Sequence, residues 1–338
     1  MRDKLIPIKA ICLILLAGAM LTSCSTDINI NAPNLDVPIV YCLLDTESSE
    51  QYLKLNKTYL VSSAAMDNPP FAEDQYFEGN IQIVLERWEN NKPVEFIDFL
   101  PTNDVPKNPG FFPSDTNLLY KADTKILPNA LYMVNIYLED REKIVYAYTK
   151  TIGDLNVVDP IELEVRKISL NQGVNYASKW RQVENAGIYQ VIVRFNYAET
   201  IDSVRTEKYL DWPQAFSNPI TNVDYLTKDI SGTRFFYILE EGIEENEAAL
   251  REALSIDFFV LSGGTEIKYY IESTAPSEGA LMERPIYTNL TNGLGVFSSM
   301  ATQEVKGLNM ASTTIDSIAY GVHTKQLLFL DHNGERNE

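Results

Sequence analysis

His323 and His332 are the only imidazoles in the chain, and both lie near its C-terminus. A Ser-His-Asp relay or a zinc centre needs an imidazole held in a cleft with partners at fixed spacing. Nothing stands at ligand spacing from either histidine, so no catalytic residue and no metal ligand is assigned. No Gly-rich phosphate loop follows a strand-like segment. Residues 331–335, Asp-His-Asn-Gly-Glu, open like a calcium loop but lack the bidentate Glu that closes one; an exposed terminus is the expectation. The acidic run Glu240, Glu241, Glu244, Glu245 and Glu247 reads as a solvated helix start rather than a cation site. No cofactor is implied, and the chain is read as a non-enzyme.

Recognition chemistry is better supplied, because the chain holds 19 Tyr and 3 Trp. Phe111, Phe112 and Trp212, the last within Asp211-Trp212-Pro213, fall in loop-like stretches. Exposed rings there would stack on a glycan or anchor a peptide or protein partner. The competing reading is that each plugs its own sheet edge. The formal charge of −19 offers no basic footprint for phosphate, so nucleic acid is not an expected partner. Solubility of an exported protein accounts for that charge.

Cysteine chemistry is concentrated at the N-terminus. A basic start with Arg2, Lys4 and Lys9 leads into an apolar run, residues 10–20, and then Leu21-Thr22-Ser23-Cys24. The run is shorter than the ~20 residues of a membrane-spanning helix. The layout is that of a bacterial lipoprotein signal peptide, residues 1–23, cleaved before Cys24; the competing reading is an ordinary secretory leader. Acyl chains (palmitate class) on Cys24 would hold the protein to a lipid bilayer, each buried methylene contributing roughly 0.8 kcal/mol. Residues 24–36 read as a flexible tether. Once Cys12 leaves with the leader and Cys24 carries lipid, Cys42 has no partner for a disulfide. It sits in an apolar strand pattern and reads as a small buried hydrophobe.

The elements that position these residues are strands. Period-two alternation marks strands over 37–44, 51–60, 80–87, 94–100, 118–122, 131–139 and 144–151. Asn90-Asn91 supplies a hairpin turn. A boundary falls at 152–159, and a further strand is expected over 161–165. Trp180, then a turn, then Tyr189, Val191, Val193 and Phe195 resembles the opening hairpin of fibronectin type III-like domains. Strands follow over 235–239 and 256–261. Residues 244–254 give the clearest helical pattern, with Glu247 four before Arg251, and 265–273 a second short helix. The expected fold is mainly β: two antiparallel β-sandwich domains of Ig or fibronectin type III type, residues 37–155 and 156–338, with one short helical insertion and a flexible tail in the second. No internal repeat is visible in the residues themselves.

Arg284-Pro285-Ile286-Tyr287-Thr288-Asn289-Leu290, then Asn292-Gly293-Leu294-Gly295-Val296-Phe297, together with Pro38-Ile39-Val40-Tyr41-Cys42-Leu43-Leu44 and the leader, resembles an uncharacterised family of Bacteroidota lipoproteins. Its domain of unknown function spans about 37–300. The resemblance implies an outer-membrane lipoprotein, often encoded beside TonB-dependent transporters, with no established catalytic residues. An accessory subunit docked on an integral outer-membrane protein for nutrient capture is the leading expectation. Ser25-Thr26-Asp27 faintly matches the acidic export signal for display on the cell surface, with a periplasm-facing anchor as the other placement. Asp202-Ser203-Val204 and Asp316-Ser317-Ile318 resemble this phylum's O-glycosylation acceptor, making Ser203 and Ser317 candidates for modification. A pilus-type structural or adhesive subunit is an alternative. Such subunits mature by cleavage after a basic residue near the start of the first domain, and no Lys or Arg stands between Lys9 and Lys54. A glycan-binding surface module is the other alternative.

Overall fold

In β1 (Pro38–Asp45), Val40, Cys42 and Leu44 are buried while Tyr41 points outward. Side chains on a strand alternate between faces, so an apolar residue at every second position commits one face to a core. Alternation also marks β2 (Glu50–Lys57), β3 (Ile81–Glu89), β6 (Leu131–Leu138) and β7 (Lys143–Lys150); β5 (Leu119–Asp123) is short, and β4 (Lys92–Thr102) is mostly exposed and buries Phe99. The computed structural model describes residues 37–58, 75–106, 117–138, 143–161, 167–275 and 287–336.

β1, β2 and β5 form one antiparallel layer. β4, β3, β6 and β7 form the other, in that order. The β3–β4 hairpin turns on Asn90 and Asn91, both at positive φ, as a two-residue turn matched to strand twist requires. β4 spans both layers, pairing with β3 up to Phe99 and with β5 from Leu100 to Thr102. Val40, Leu44, Leu53 and Leu55 meet Ile83, Leu85, Val134, Ile136 and Val145 in a common core.

The second half repeats this plan. β8 (Asn156–Asp159), β9 (Asn175–Arg181) and β12 (Tyr225–Ser231) form a three-stranded antiparallel sheet. β11 (Val204–Pro213), β10 (Ala186–Ile201), β13 (Leu250–Gly264) and β14 (Leu294–Leu308) form the facing layer, in that order. In both halves the first, second and fifth strands share one layer, and the fourth, third, sixth and seventh share the other. This is the Greek-key division of Ig-like and fibronectin-like sandwiches. The chain is mainly β with a twice-used sandwich topology that its residues do not display as a repeat. Both halves nevertheless belong to one compact unit, Val37–Glu338. β14 lies parallel to β1, Gly295 opposite Val40 and Phe297 opposite Cys42. Phe297 enters the first core, while Ala301, Val305 and Leu308 of the same strand enter the second.

Among the described residues the second half holds three α-helices where a single short insertion was expected: α1 (Gly232–Gly242), α2 (Thr265–Thr274) and α3 (Ser312–Tyr320). The helix expected over 244–254 is not formed. Residues 250–254 begin β13 and pair with β10 as far as Thr200, and Arg251 is buried. Cross-strand pairing along a long neighbour outweighs helix propensity of a few tenths of a kcal/mol per residue. The strand expected over 235–239 is instead part of α1. Ser231 Oγ caps it by accepting from Arg234 N at 3.2 Å, and Phe235, Phe236 and Leu239 share its buried face. The helix expected over 265–273 is present as α2. Trp180 and Tyr189 do not belong to one hairpin: β9 and β10 go to opposite layers, and their rings meet across the core at 5.7 Å. The strand expected over 161–165 lies almost wholly outside the described residues.

Polar groups complete the seam between the sandwiches. Glu266 of α2 accepts from Thr149 at 3.2 Å and from Ser298 at 3.0 Å. Ser299 Oγ accepts from Ile152 N at 3.0 Å, and Asn185 donates to the Thr151 carbonyl at 3.0 Å. Buried acceptors and donors are thereby matched rather than left open.

Candidate functional site: an exposed sheet face

The layer β4-β3-β6-β7 buries Ile83 and Leu85 of β3 and turns Gln82, Val84 and Glu86 toward the other face. An antiparallel sheet with one wet face ordinarily makes that face polar. Here large apolar side chains are interleaved with the polar ones. Register places Phe96 opposite Glu86, Glu86 opposite Met133, and Met133 opposite Tyr148. The adjacent rows are Asp98, Val84, the buried Asn135 and Tyr146, then Gln82, Tyr137 and Ile144, so rings and aliphatic groups alternate with polar ones. Trp88 and Leu131 face each other at one end, where Trp88 Nε1 donates to Glu86 at 2.8 Å. Phe96 is 64% exposed and Tyr148 68%, and Ile144, Tyr146, Leu131, Val94 and Leu100 are exposed too. Scattered apolar residues on a surface need no explanation, but a contiguous face does. Rings with two side-chain torsions and interleaved acceptors are suited to binding a partner surface.

A second group of polar residues gathers where the C-terminal segment returns to α3. His332 Nδ1 lies 2.6 Å from Asp316 Oδ1, and Tyr320 donates to Asp331 Oδ2 at 2.9 Å. Asp331 Oδ1 also accepts from Asn333 N at 2.9 Å and Glu335 N at 2.8 Å. Asp316, Asp331 and His332 thus carry three potential metal-ligating atoms within 4.8 Å of one another. Both Asp331 oxygens are already engaged in closing the turn. The bond from the Glu335 amide is the largest influence holding its carboxyl below the usual range. The arrangement works as a clasp between α3 and the tail. Sequence spacing could not reveal it, since residues 316 and 332 meet only through the fold. His323 pairs through Nδ1 with Glu240 at 2.9 Å and packs against the Tyr237 ring, centroids 4.1 Å apart.

The residues singled out from sequence disperse. Cys24, Phe111 and Phe112 lie outside the described residues. Trp212 is not a loop contact: it lies in β11, is buried, and packs toward Phe235 with centroids 6.4 Å apart. The neighbouring Pro213 ends the strand, which made the stretch read as a loop. Ser203 occupies the exposed β10–β11 turn beside Asp202, both at positive φ. Ser317 is half-buried on α3 and donates to the Thr313 carbonyl at 2.7 Å rather than to a histidine. The outward face of β4-β3-β6-β7 was missed as a site. Alternation was legible there, yet the apolar residues at outward positions become visible only when four strands are set in register.

Cys42 is buried in the first core, and that burial pushes its thiol well above the ordinary range. A thiol held in that form is a poor nucleophile. Alkylation mapped by mass spectrometry should therefore give no adduct at Cys42 in native buffer and full modification in guanidinium.

No family model matches the chain, and no curated protein matches it. Among solved structures, a similar chain comes from the crystal structure of Dpr11 IG1 bound to DIP-gamma IG+IG2. The two are 7% identical with a TM-score of 0.17, covering 68% of this chain and 91% of that one. The sandwich assignment rests on the strand order above.

Proposed function

We propose that this chain is an outer-membrane lipoprotein, acylated at Cys24, that acts as a non-enzymatic binding subunit of a membrane complex. Its partner is an integral outer-membrane protein of the TonB-dependent transporter kind, which it assists in nutrient capture. The observation that carries the reading is the exposed apolar face around Phe96, Met133 and Tyr148. The leader and the resemblance to Bacteroidota lipoproteins support the anchor and the location, with display at the cell surface. Twelve residues, 25–36, separate the anchor from Val37. Fully extended they reach at most about 40 Å, so an acylated protein meets membrane-embedded partners first.

Recovery of partners from detergent-solubilised outer membranes tests this. Wild-type acylated protein should retain an integral barrel protein through cross-linking. A Phe96→Asp/Tyr148→Asp variant should lose it, each ring contributing ~2 kcal/mol, about 30-fold in affinity. Both side chains are exposed, so the melting temperature should barely move. Equal recovery by the variant, or no barrel protein with wild type, rejects the assignment.

A further inference from the structure

A cavity of about 350 Å³ opens between α1, α3 and residues 321–324, lined among others by Phe236, Asp316, Ser317, Tyr320, His323 and Gln172. Its volume lies within the range that holds small ligands, ~300–1,000 Å³. We infer that this cavity is a binding site for a neutral, polyhydroxylated ring, a sugar residue of monosaccharide to disaccharide size.

The lining discriminates among ligand chemistries. Phe236 is buried as an apolar wall and the half-exposed Tyr320 flanks it. Such rings accept the C–H face of a saccharide but offer nothing to a strongly hydrated ion. The polar rim has several groups already committed. Ser317 donates to Thr313, Tyr320 donates to Asp331, and His323 uses Nδ1 on Glu240. Asp316 Oδ1 faces His332. The second Asp316 oxygen, His323 Nε2 and the Gln172 amide make no hydrogen bond among the described residues. Their residues share one lining, so carboxylate, imidazole and amide groups with donor and acceptor capacity border a single opening, the mixture that adjacent hydroxyl groups satisfy.

Anionic ligands fit poorly. Neither Lys nor Arg lines the cavity, so a phosphate or a uronate would be desolvated beside Asp316 with no matching fork. A cationic amine is the closer rival, but the His332 imidazole already faces Asp316. The cavity belongs to the second sandwich and the docking face to the first, so loss of one leaves the other in place.

Saturation-transfer NMR and calorimetry on the intact protein decide the matter. The probes are methyl glucoside, methyl mannoside, methyl galactoside and N-acetylglucosamine, with glucuronate and tetramethylammonium as comparators. At least one neutral sugar should bind with a dissociation constant on the order of millimolar, and both comparators about 10-fold or more weakly. Gln172→Ala should weaken the sugar by several-fold. The Gln172 side chain is exposed, so this change leaves folding intact. Asp316→Asn should weaken it further, with a melting curve recorded beside it. Tighter binding of glucuronate or of the ammonium ion overturns the assignment. So does a neutral sugar that binds both folded variants as well as wild type, or the absence of saturation transfer from every sugar.

Discussion

Replacing Arg251 with Ala should lower the unfolding free energy by about 3–5 kcal/mol and release the C-terminal segment. Arg251 is only 2% exposed. Its Nε donates to Glu199 at 2.8 Å, Nη1 to the Leu327 carbonyl at 2.6 Å, and Nη2 to the Glu244 carbonyl at 2.8 Å. Its backbone pairs with Leu328 and Leu330 on either side, and Phe329 between them packs on Phe195 and Tyr197. Truncation leaves two carbonyls unpaired and the buried Glu199 carboxylate with only Lys208. Removing one partner of a buried pair costs that much because the other charge stays desolvated. Arg251→Lys should recover part of the loss, since an ammonium cannot serve three acceptors in a fixed fork. Urea denaturation gives the energy, and limited proteolysis should cut near residue 328 in the variant first.

The same cluster sets a pH dependence. Burial works against the charge of Glu199, but hydrogen bonds from Lys208 and Arg251 outweigh it and hold the carboxyl below its usual range. A group titrating lower in the folded state stabilises the fold above the unfolded glutamate value, ~4.3, and loses that contribution as pH falls. The stability gap between wild type and Arg251→Ala should therefore be widest near neutral pH and shrink below about pH 4. A gap that stays constant down to acid pH would show that the ion pair contributes packing alone.

Gly295→Ala should be at least as damaging, with a loss of ~3 kcal/mol or more or a failure to fold. Gly295 has φ +109, and a Cβ there would stand 2.0 Å from the Val40 carbonyl oxygen. That carbonyl belongs to β1, where Val40 lies opposite Gly295 in the parallel pairing that joins the two sandwiches. Neither strand can retreat easily. Phe297, two residues on, is locked by reciprocal bonds with the Asn289 side chain at 2.7 and 3.0 Å. Gly307→Ala is the control: it also has positive φ, +68, but nothing lies within 4 Å of its Cβ. It should lose only the ~1 kcal/mol of local strain. Trp88 reports on the first sandwich, and Trp180 and Trp212 on the second. In Gly295→Ala the two sets should unfold at different urea concentrations, whereas one transition with wild-type midpoint would refute a coupling role for the β1–β14 pair.

Two stretches far apart in the sequence meet at the seam. They are Pro38–Leu44 and Asn292–Phe297, and their strands lie side by side, with Ile39 opposite Leu294. Gly295 permits that approach, and Phe297 fills the core it creates. Local features were equally readable: Asn90-Asn91 as a turn, and Val40, Cys42 and Leu44 as an inward face, because each depends on neighbours two to four residues away. Glu247 and Arg251 misled for the same reason. Their i,i+4 spacing fits a helix, but Arg251 answers to Glu199 and to the chain end.

The sequence by itself determined the mainly β character, most strand positions and an inert Cys42, since period-two burial is written in consecutive residues. Tertiary structure alone decided four things: the repeated seven-strand topology, the burial of Trp212, the clasp of Asp316 with His332, and the aromatic face spanning β4, β3, β6 and β7. Each depends on which distant segments pair and in what register. A register shift of one residue exchanges core and surface along a whole strand, so no local pattern can specify it.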